Sequence, residues 1–435
     1  MDEKIKVSII LPSLNVARYI GACLTSVREQ SLNEIEMICV DAGSTDGTLE
    51  IIREHGQKDE RISLIHSDRK SYGYQVNQGI KSARGKYVAV VDTDDFVGQN
   101  MYETLFRRAE ENRADFVKSD YYGYREEAAG NEREKVCSVL TDRKYYNCIV
   151  EPIRNQKIFR NLYPAIWSGI YSRSFLENNG IWCNETPGAS YQDTGFWFLA
   201  YAYAGRTLFL DIPFYRYRLD NAASSVHDTQ KVYCICDEWN YIAKNLAGHS
   251  RLEEVSDSLS YVFYRKYKRN LERISPGSRD AFLRRFSADF LIWDQYGYLS
   301  YRMFSGEEER ELLEIMHDPE KYGKGVQMQE EKFLAELERQ PEVILYGAGK
   351  VGREILSRMK TKANVVGVAV SGNVVKEERL MGVPVRTVDA LLNYRKTAYV
   401  VLAVMTEAYK IQMREKLREL EFAHIIEIPY GLFHY

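Results

Sequence analysis

The sequence predicts an α/β protein. It should hold a doubly wound, mostly parallel sheet, a helical middle segment and a small second α/β domain at the C-terminus. Three observations carry this. Over residues 7–118, apolar runs of strand length alternate with stretches whose apolar residues recur at helical spacing. From Lys231 to Leu337 the pattern is helical and charged. After Pro341, a strand, a glycine-rich turn and a helix follow closely. A βαβα order implies parallel strands joined by right-handed crossovers.

The elements can be justified in turn. Val7 to Leu11 is nearly all apolar, as a strand buried on both faces should be. Ile20, Cys23, Leu24 and Val27 form one helical stripe. Ile35 to Val40 is a second strand, ending at Asp41; Thr45 and Asp46 can cap a helix carrying Leu49 and Ile52. Ile62 to Ile65 is a third strand, and a helix over Val76 to Ala83 follows. Tyr87 to Val91 is a fourth strand ending at Asp92. Tyr102, Leu105, Phe106 and Ala109 mark another helix before a strand over Asp115 to Lys118. Residues 121–220 lose this regularity, and predict loops and short elements closing over the sheet. Pro276-Gly277 breaks the helical stretch. Val343 to Tyr346, Val365 to Val370 and Tyr399 to Val404 are the strands of the last unit.

Length and charge set outer bounds. At about 150 residues per domain, 435 residues suggest three units. Lys and Arg number 59 against 62 Asp and Glu, a net charge of −3, which argues against a nucleic-acid binder. No apolar run approaches the ~18 residues of a membrane span, and MDEKIKV lacks the order of a signal peptide. Seven scattered cysteines without a CxxC pair predict buried thiols in a reducing compartment, hence a cytoplasmic protein. The 32 tyrosines are spread along the whole chain, so they do not mark a site.

The informative feature is where the acids fall. In open α/β sheets, ligands bind beyond the carboxyl ends of the strands. One strand runs into VDAGSTDGT, at Asp41, and another into VDTDDF, with Asp92, Asp94 and Asp95. Three carboxylates within four residues repel one another, and a hard divalent cation shared with substrate phosphates would relieve this. A solvated acidic turn has the same composition.

Several motifs in order carry a resemblance. SIILPSLN (Ser8 to Asn15), CLTSVREQSLNEIEMICVDAGSTDGT and GKYVAVVDTDD are similar to the N-terminal signatures of family 2 glycosyltransferases with the A-type nucleotide-sugar fold. The likeness covers residues 5–225. It implies a nucleotide-diphospho-sugar donor, UDP by default, Mg²⁺ or Mn²⁺, and inversion at the anomeric carbon. By position it implies Pro12, Ser13 and Asn15 beside the base and ribose, and Asp41 hydrogen-bonded to the base. Asn77 would lie beside the donor, and Asp92, Asp94 and Asp95 would divide ribose and metal contacts, Asp94 and Asp95 nearest the metal. Leu14 and Ala42 depart from the Tyr and Asp common in the family.

Inverting transfer also needs a base for the attacking hydroxyl. Asp193, in NETPGASYQDTGFWF, stands before an aromatic, helix-like run and matches the family's catalytic Asp, although Gln192 replaces the usual Glu. A helix N-cap is the alternative role. Arg216 or Arg218, in FYRYRLDNAASSVHD, is a candidate for the pyrophosphate, with a surface ion pair as the alternative. His227 is a lesser metal-ligand candidate, and Trp167 and Trp182 are packing residues or sugar platforms.

Gly347, Gly349 and Gly352 form GxGxxG between a strand and a helix, the context of a dinucleotide fingerprint. Ser371 stands where a ribose-binding acid is expected, which argues against NAD(P). The unit is similar to small Rossmann-like domains appended to sugar-modifying enzymes. The expected division is a catalytic domain over 1–225, a helical extension over 226–338 and a Rossmann-like accessory domain over 339–435. The leading expectation is transfer of a sugar to a glycan or lipid-linked glycan acceptor in surface polysaccharide synthesis. An NAD(P)-linked oxidoreductase or epimerase, or a non-catalytic scaffold, are the alternatives. YRKYKRN (Tyr264 to Asn270) is a candidate contact for anionic lipid at the cytoplasmic face, against a solvated helix face. A homo-oligomer is compatible with the same reading.

Overall fold

The computed structural model describes residues 5–126, 132–221, 230–247, 250–359, 364–371, 378–404, 407–429 and 432. The chain divides into two compact units: residues 1–267 with 292–309, and residues 268–291 with 310–435.

The first unit starts with β1 (Val7–Ser13), α1 (Ala17–Arg28), β2 (Ile35–Asp41), α2 (Thr48–Lys58), β3 (Ile62–His66), α3 (Tyr72–Ser82) and β4 (Tyr87–Val90). The first two strands are buried along their whole length, which is why they read as unbroken apolar runs. Ile20, Cys23, Leu24 and Val27 face the core, as their spacing requires. Asp46 does not cap through the helix N-cap position, which Gly47 holds. Its carboxylate instead accepts from the Thr48 amide and from the Ala17 amide of α1, so one acid serves two helix starts. The helix α3 begins before Val76, because Ser71 accepts from the Tyr74 amide and caps it at Tyr72.

These strands lie in the order β3-β2-β1-β4, all parallel. The order reverses between β1 and β4, which opens a crevice at their carboxyl ends. Beyond β4 the sheet becomes mixed. It continues through β5 (Phe96–Val97), α4 (Met101–Asn112), β6 (Phe116–Glu126), β7 (Glu132–Cys137), β8 (Ile149–Val150), β9 (Gly169–Ser172), α5 (Arg173–Asn178), α6 (Gln192–Tyr203) and β10 (Thr207–Arg218). The strand β9 is antiparallel to both β4 and β6, while β10 runs parallel to β6.

Residues 121–220 are thus more regular than their sequence predicts. The strand β6 extends to Glu126, and β10 spans twelve residues despite Pro213. The register shifts between Leu210 and Tyr215, so the proline sits in a bulge that needs no ladder donor. Trp167 is packed, stacked on Tyr215 and Tyr217.

Helices follow as expected: α7 (Cys234–Leu246), α8 (Arg251–Arg273), α9 (Arg279–Gln295), α10 (Gly306–His317) and α11 (Pro319–Glu338). A 3₁₀ turn at Pro276–Ser278 marks the Pro-Gly break. All seven cysteines are free thiols, with Cys23, Cys39, Cys183 and Cys236 buried. Among the described residues, no helix is long and apolar enough to cross a membrane.

The second unit holds β11 (Val343–Tyr346), α12 (Lys350–Met359), β12 (Val365–Val370), β13 (Arg379–Leu380), β14 (Val383–Thr387), β15 (Tyr399–Leu402), α13 (Glu407–Glu419) and β16 (His424–Glu427). The sheet order is β13-β14-β12-β11-β15-β16, and only the β13 hairpin is antiparallel among the described pairings. Alternate residues of one strand feed two cores. Val343 and Leu345 pack with Leu337, Ile355 and Met359, while Ile344 and Tyr346 share a cluster with Leu391, Met413 and Leu417. Both faces are covered, so the strand is apolar throughout.

Close packing of α3 on β1 sets one limit. A Cβ added to Gly79 would stand 2.4 Å from Ile10 Cγ2. Gly79→Ala should lower stability by about 1–3 kcal/mol through overpacking, measured by urea unfolding; an unchanged midpoint would contradict this close approach.

Candidate functional site

The crevice between β1 and β4 is closed by hydrogen bonds among its own residues. Thr93 Oγ1 donates to the Pro12 carbonyl, tying the ends of β4 and β1 together. Gln75 Nε2 donates to the carbonyls of Ser13 and Val40, tying β1 to β2. Asp41 is wholly buried and accepts from four donors: the Gly43 and Ser44 amides on Oδ1, and the Ser13 and Ser44 hydroxyls on Oδ2. It therefore shapes the loop after β2. Asn15 has a left-handed backbone (φ 53°), and its Oδ1 accepts from the Thr45 amide. Leu14 beside it is exposed.

The acidic turn after β4 is not a set of equivalent carboxylates. Asp95 is buried; its Oδ2 accepts from the Tyr215 hydroxyl at 2.7 Å and its Oδ1 from the Arg218 amide at 2.7 Å. Burial first, then the charges of Asp94 and Asp92, push its carboxyl well above the usual range. Asp92 is half-buried and accepts from the Tyr72 hydroxyl at 2.8 Å. Burial, then the charges of Asp94 and Asp193, push it up to about 7 against the pull of Tyr72. Asp94 is half-buried and accepts from Asn221 Nδ2 at 2.8 Å. Of the expected metal pair, Asp94 is partly exposed while Asp95 is buried in the framework.

Arg218 is also part of that framework. Its Nε donates to the Asp94 carbonyl, and its guanidinium lies over the rings of Tyr19 and Tyr124 at 4.8 and 4.9 Å. Among the described residues its buried Nη1 has no hydrogen-bond acceptor, but it forms longer ion pairs with Asp220 at 3.6 Å and Glu126 at 3.9 Å. Arg216 instead pairs with Glu134 at 2.5 Å, the surface ion pair foreseen as its alternative. His227 lies outside the described residues.

Asp193 arrives on a separate support. It sits half-buried in the first turn of α6. Its charge acts on Asp92 and Tyr72, so the fold brings it to the acidic turn from about a hundred residues away. The segment leading to it is seated on α3. Asn77 clamps Cys183, donating to its carbonyl and accepting from its amide, and also donates to Glu185. The Tyr72 amide donates to the Gly188 carbonyl, and the Gly188 amide to the Lys70 carbonyl. Gly73 allows this contact, because a Cβ there would stand 1.9 Å from the Asn184 carbonyl oxygen. Gln192 folds the turn before Asp193. Its amide group donates to the carbonyls of Thr186 and Gly188 and accepts from the Ser190 amide, which an ionised Glu could not do.

A second buried acid supports α6 from the other side. Glu238, on α7, accepts from the Gly195 amide at 3.0 Å and from Asn184 Nδ2 at 2.9 Å. Burial first, and secondarily the charges of Asp193 and Asp237, push it up to about 8. Tyr72, Gln75, Tyr215 and Glu238 were not singled out in sequence. Tyr215 lies in FYRYRLDNAASSVHD, where only the arginines drew notice, and each of the four becomes significant only through a partner distant in the chain.

In the second unit the glycines of GAGKVG play unequal parts. Gly347 has φ 127°, and a Cβ on Gly352 would stand 1.9 Å from the Gly347 carbonyl oxygen. Both are required by the turn itself. A Cβ on Gly349 would meet open space. Ser371 Oγ shares a hydrogen bond with the Tyr346 hydroxyl at 2.9 Å.

Comparisons with known proteins bear on the fold and on the family that the chain resembles. Residues 8–176 match the glycosyl transferase family 2 model. The glycosyltransferase GlyG of Streptococcus pneumoniae is 38% identical over 126 residues, 29% of this chain and 42% of that protein. The uncharacterized glycosyltransferase EpsJ of Bacillus subtilis is 31% identical over 214 residues, 49% of this chain and 60% of that protein. The chain spans about half the length of the curated relatives it matches. A crystal structure of S. aureus TarS 1-349 in complex with UDP-GlcNAc superposes with a TM-score of 0.57 at 19% identity, covering 75% of this chain and 92% of that one. That likeness shows a shared fold.

Glu238 makes stability depend on pH. The folded chain keeps its proton up to about pH 8, whereas an ordinary Glu gives it up near 4.5. The folded state therefore binds more protons in between, and stability falls as pH rises from 4.5 to 8. Glu238→Gln should flatten this fall, raising the melting temperature by a few degrees at pH 8 relative to wild type and by less at pH 5, read by differential scanning calorimetry.

Proposed function

We propose that the protein, whose residues 8–176 match the glycosyl transferase family 2 model, transfers a sugar from a nucleotide-diphospho-sugar, with UDP as the nucleotide, to a glycan or lipid-linked glycan acceptor. The observation that carries this is that Asp193 lies near enough to act electrostatically on Asp92 and Tyr72, at the switch point of a parallel sheet. The likeness to a fold solved with UDP-GlcNAc supports the choice of donor class.

Transfer is a direct displacement with inversion. The acceptor oxygen forms its bond to the anomeric carbon as the bond to the β-phosphate oxygen breaks. The nucleoside diphosphate leaves with that electron pair, and Asp193 takes the acceptor proton. The donor would lie over the ends of β1 and β2, with Pro12, Ser13 and Asn15 lining the nucleotide and Asp41 holding the loop against it. Asn77 acts through the segment it clamps.

The residues present fit a divalent metal in a limited way. Among the described residues, no group of three or more His, Cys, Asp or Glu is arranged to hold an ion. Asp94 is partly exposed, and burial together with its acidic neighbours makes the charge of Asp92 costly. Mg²⁺ or Mn²⁺ is commonly held by one or two carboxylates with substrate phosphates completing its shell. Asp94, with Asp92 behind it, would hold the metal; Asp95 sets the turn. The metal would supply neutralisation of the departing diphosphate. Arg218, fixed beneath the turn by its Nε bond to the Asp94 carbonyl, would add a positive charge near the diphosphate.

Two substitutions separate these roles. Asp193→Asn should keep donor affinity within about two-fold and lower the turnover number by roughly 10²–10⁴-fold, measured as UDP release; near wild-type turnover removes Asp193 as the base. Asp94→Ala should abolish the extra thermal stabilisation that Mn²⁺ adds to a UDP-sugar. The assay is a melting-temperature panel of UDP-, GDP- and CDP-sugars with and without Mn²⁺, alongside NAD⁺. Stabilisation of the wild type by NAD⁺ alone would overturn the proposal.

A further inference from the structure

Glu238 lies outside the motifs that identify the domain, on α7, yet it touches the two segments that fix Asp193. The helix α6 has no side-chain cap of its own, since its N-cap is Tyr191 in a left-handed conformation (φ 65°). A helix start without a cap leaves amides in need of an acceptor. Glu238 provides one from another helix: its Oε2 accepts from the Gly195 amide, two residues past Asp193. Its Oε1 accepts from Asn184, in the segment that α3 clamps. The approach is close. A Cβ on Gly195 would stand 2.9 Å from Glu238 Oε2 and 2.8 Å from the Tyr241 ring. Glu238 itself is wholly buried.

We propose that Glu238 is a positioning residue for transfer, holding the start of α6 and the Asn184 segment so that Asp193 faces the donor. The inference rests on the reading of Asp193 as the base. Its environment suits a residue that acts while protonated beside that base. The groups that act on it are Asp193 from α6, Asp237 and Tyr241 from α7, and Cys183 before Asn184, while Lys266 on α8 brings a cation to the same helix start, donating to Thr194 Oγ1 at 3.4 Å. Ionisation of Glu238 thus adds a second negative charge near that of Asp193. Turnover should then fall as pH rises through the ionisation of Glu238.

The test uses full-length protein and UDP release from UDP-GlcNAc, UDP-glucose and UDP-galactose with water as acceptor. Glu238→Leu deletes both hydrogen bonds; Glu238→Gln keeps an acceptor for the Gly195 amide. Glu238→Leu should lower kcat at least ten-fold with the donor KM within two-fold. Glu238→Gln should restore most of kcat at pH 7 and lose the fall above pH 8 expected of wild type. Placed in Asp193→Asn, Glu238→Leu should cause no further loss. An additive loss, or a Glu238→Leu enzyme with kcat within two-fold of wild type, would overturn the proposal. Amide hydrogen exchange provides a readout without turnover: Glu238→Leu should deprotect residues 193–196, and unchanged protection there overturns the anchoring. An active Asp193→Asn enzyme with deprotected 193–196 in Glu238→Leu would instead sink the base assignment and leave the anchoring standing.

Discussion

The first unit depends on the burial of one carboxylate. Asp95 is removed from water and held between the Tyr215 hydroxyl and the Arg218 amide, both on β10. An isolated buried carboxylate is costly, and these two donors offset part of that cost. What the arrangement secures is geometric. It anchors the turn after β4 to a strand more than a hundred residues later, and it fixes the backbone from which Asp92 and Asp94 project. Tyr215 also accepts from the Asp92 amide, so one phenol organises both ends of the turn.

The parallel half of the fold was legible because burial on both faces leaves a plain mark. Val7 to Leu11 and Tyr87 to Val90 have no polar residue except Ser8, whose hydroxyl is spent on Glu36 and the Gly85 amide. The mixed half was not legible. Residues 207–218 hold Asp211, Pro213 and two arginines, and only the bulge between Leu210 and Tyr215 reconciles them with a strand. The start of α3 was missed for a similar reason. YGYQ lacks an apolar stripe, because its first turn packs against a peptide segment in place of side chains.

The site was legible as residue types and less so as roles. Sequence pointed to Asp92, Asp94, Asp95 and Asp193, and the fold does gather them. It did not reveal that Asp41 would have both oxygens filled by four internal donors, or that Asn77 would be committed to Cys183 and Glu185. A carboxylate that organises a loop and one that faces a ligand look alike in sequence. Partners such as Tyr72, Gln75 and Glu238 are distant in the chain, and no spacing rule links them to the acids they serve.

The aromatic stack under the acidic turn has an optical consequence. Trp167 lies 4.2 Å from the Tyr215 ring, nearly parallel to it, and 5.2 Å from Tyr217. It is buried, so its spectrum is governed by these neighbours and not by solvent. Tyr215 in turn donates its hydroxyl proton to Asp95. The indole is therefore wired, through one phenol, to the charge of the turn. The protein carries its own chromophore for events at that crevice, visible in near-ultraviolet dichroism and tryptophan emission without any attached label.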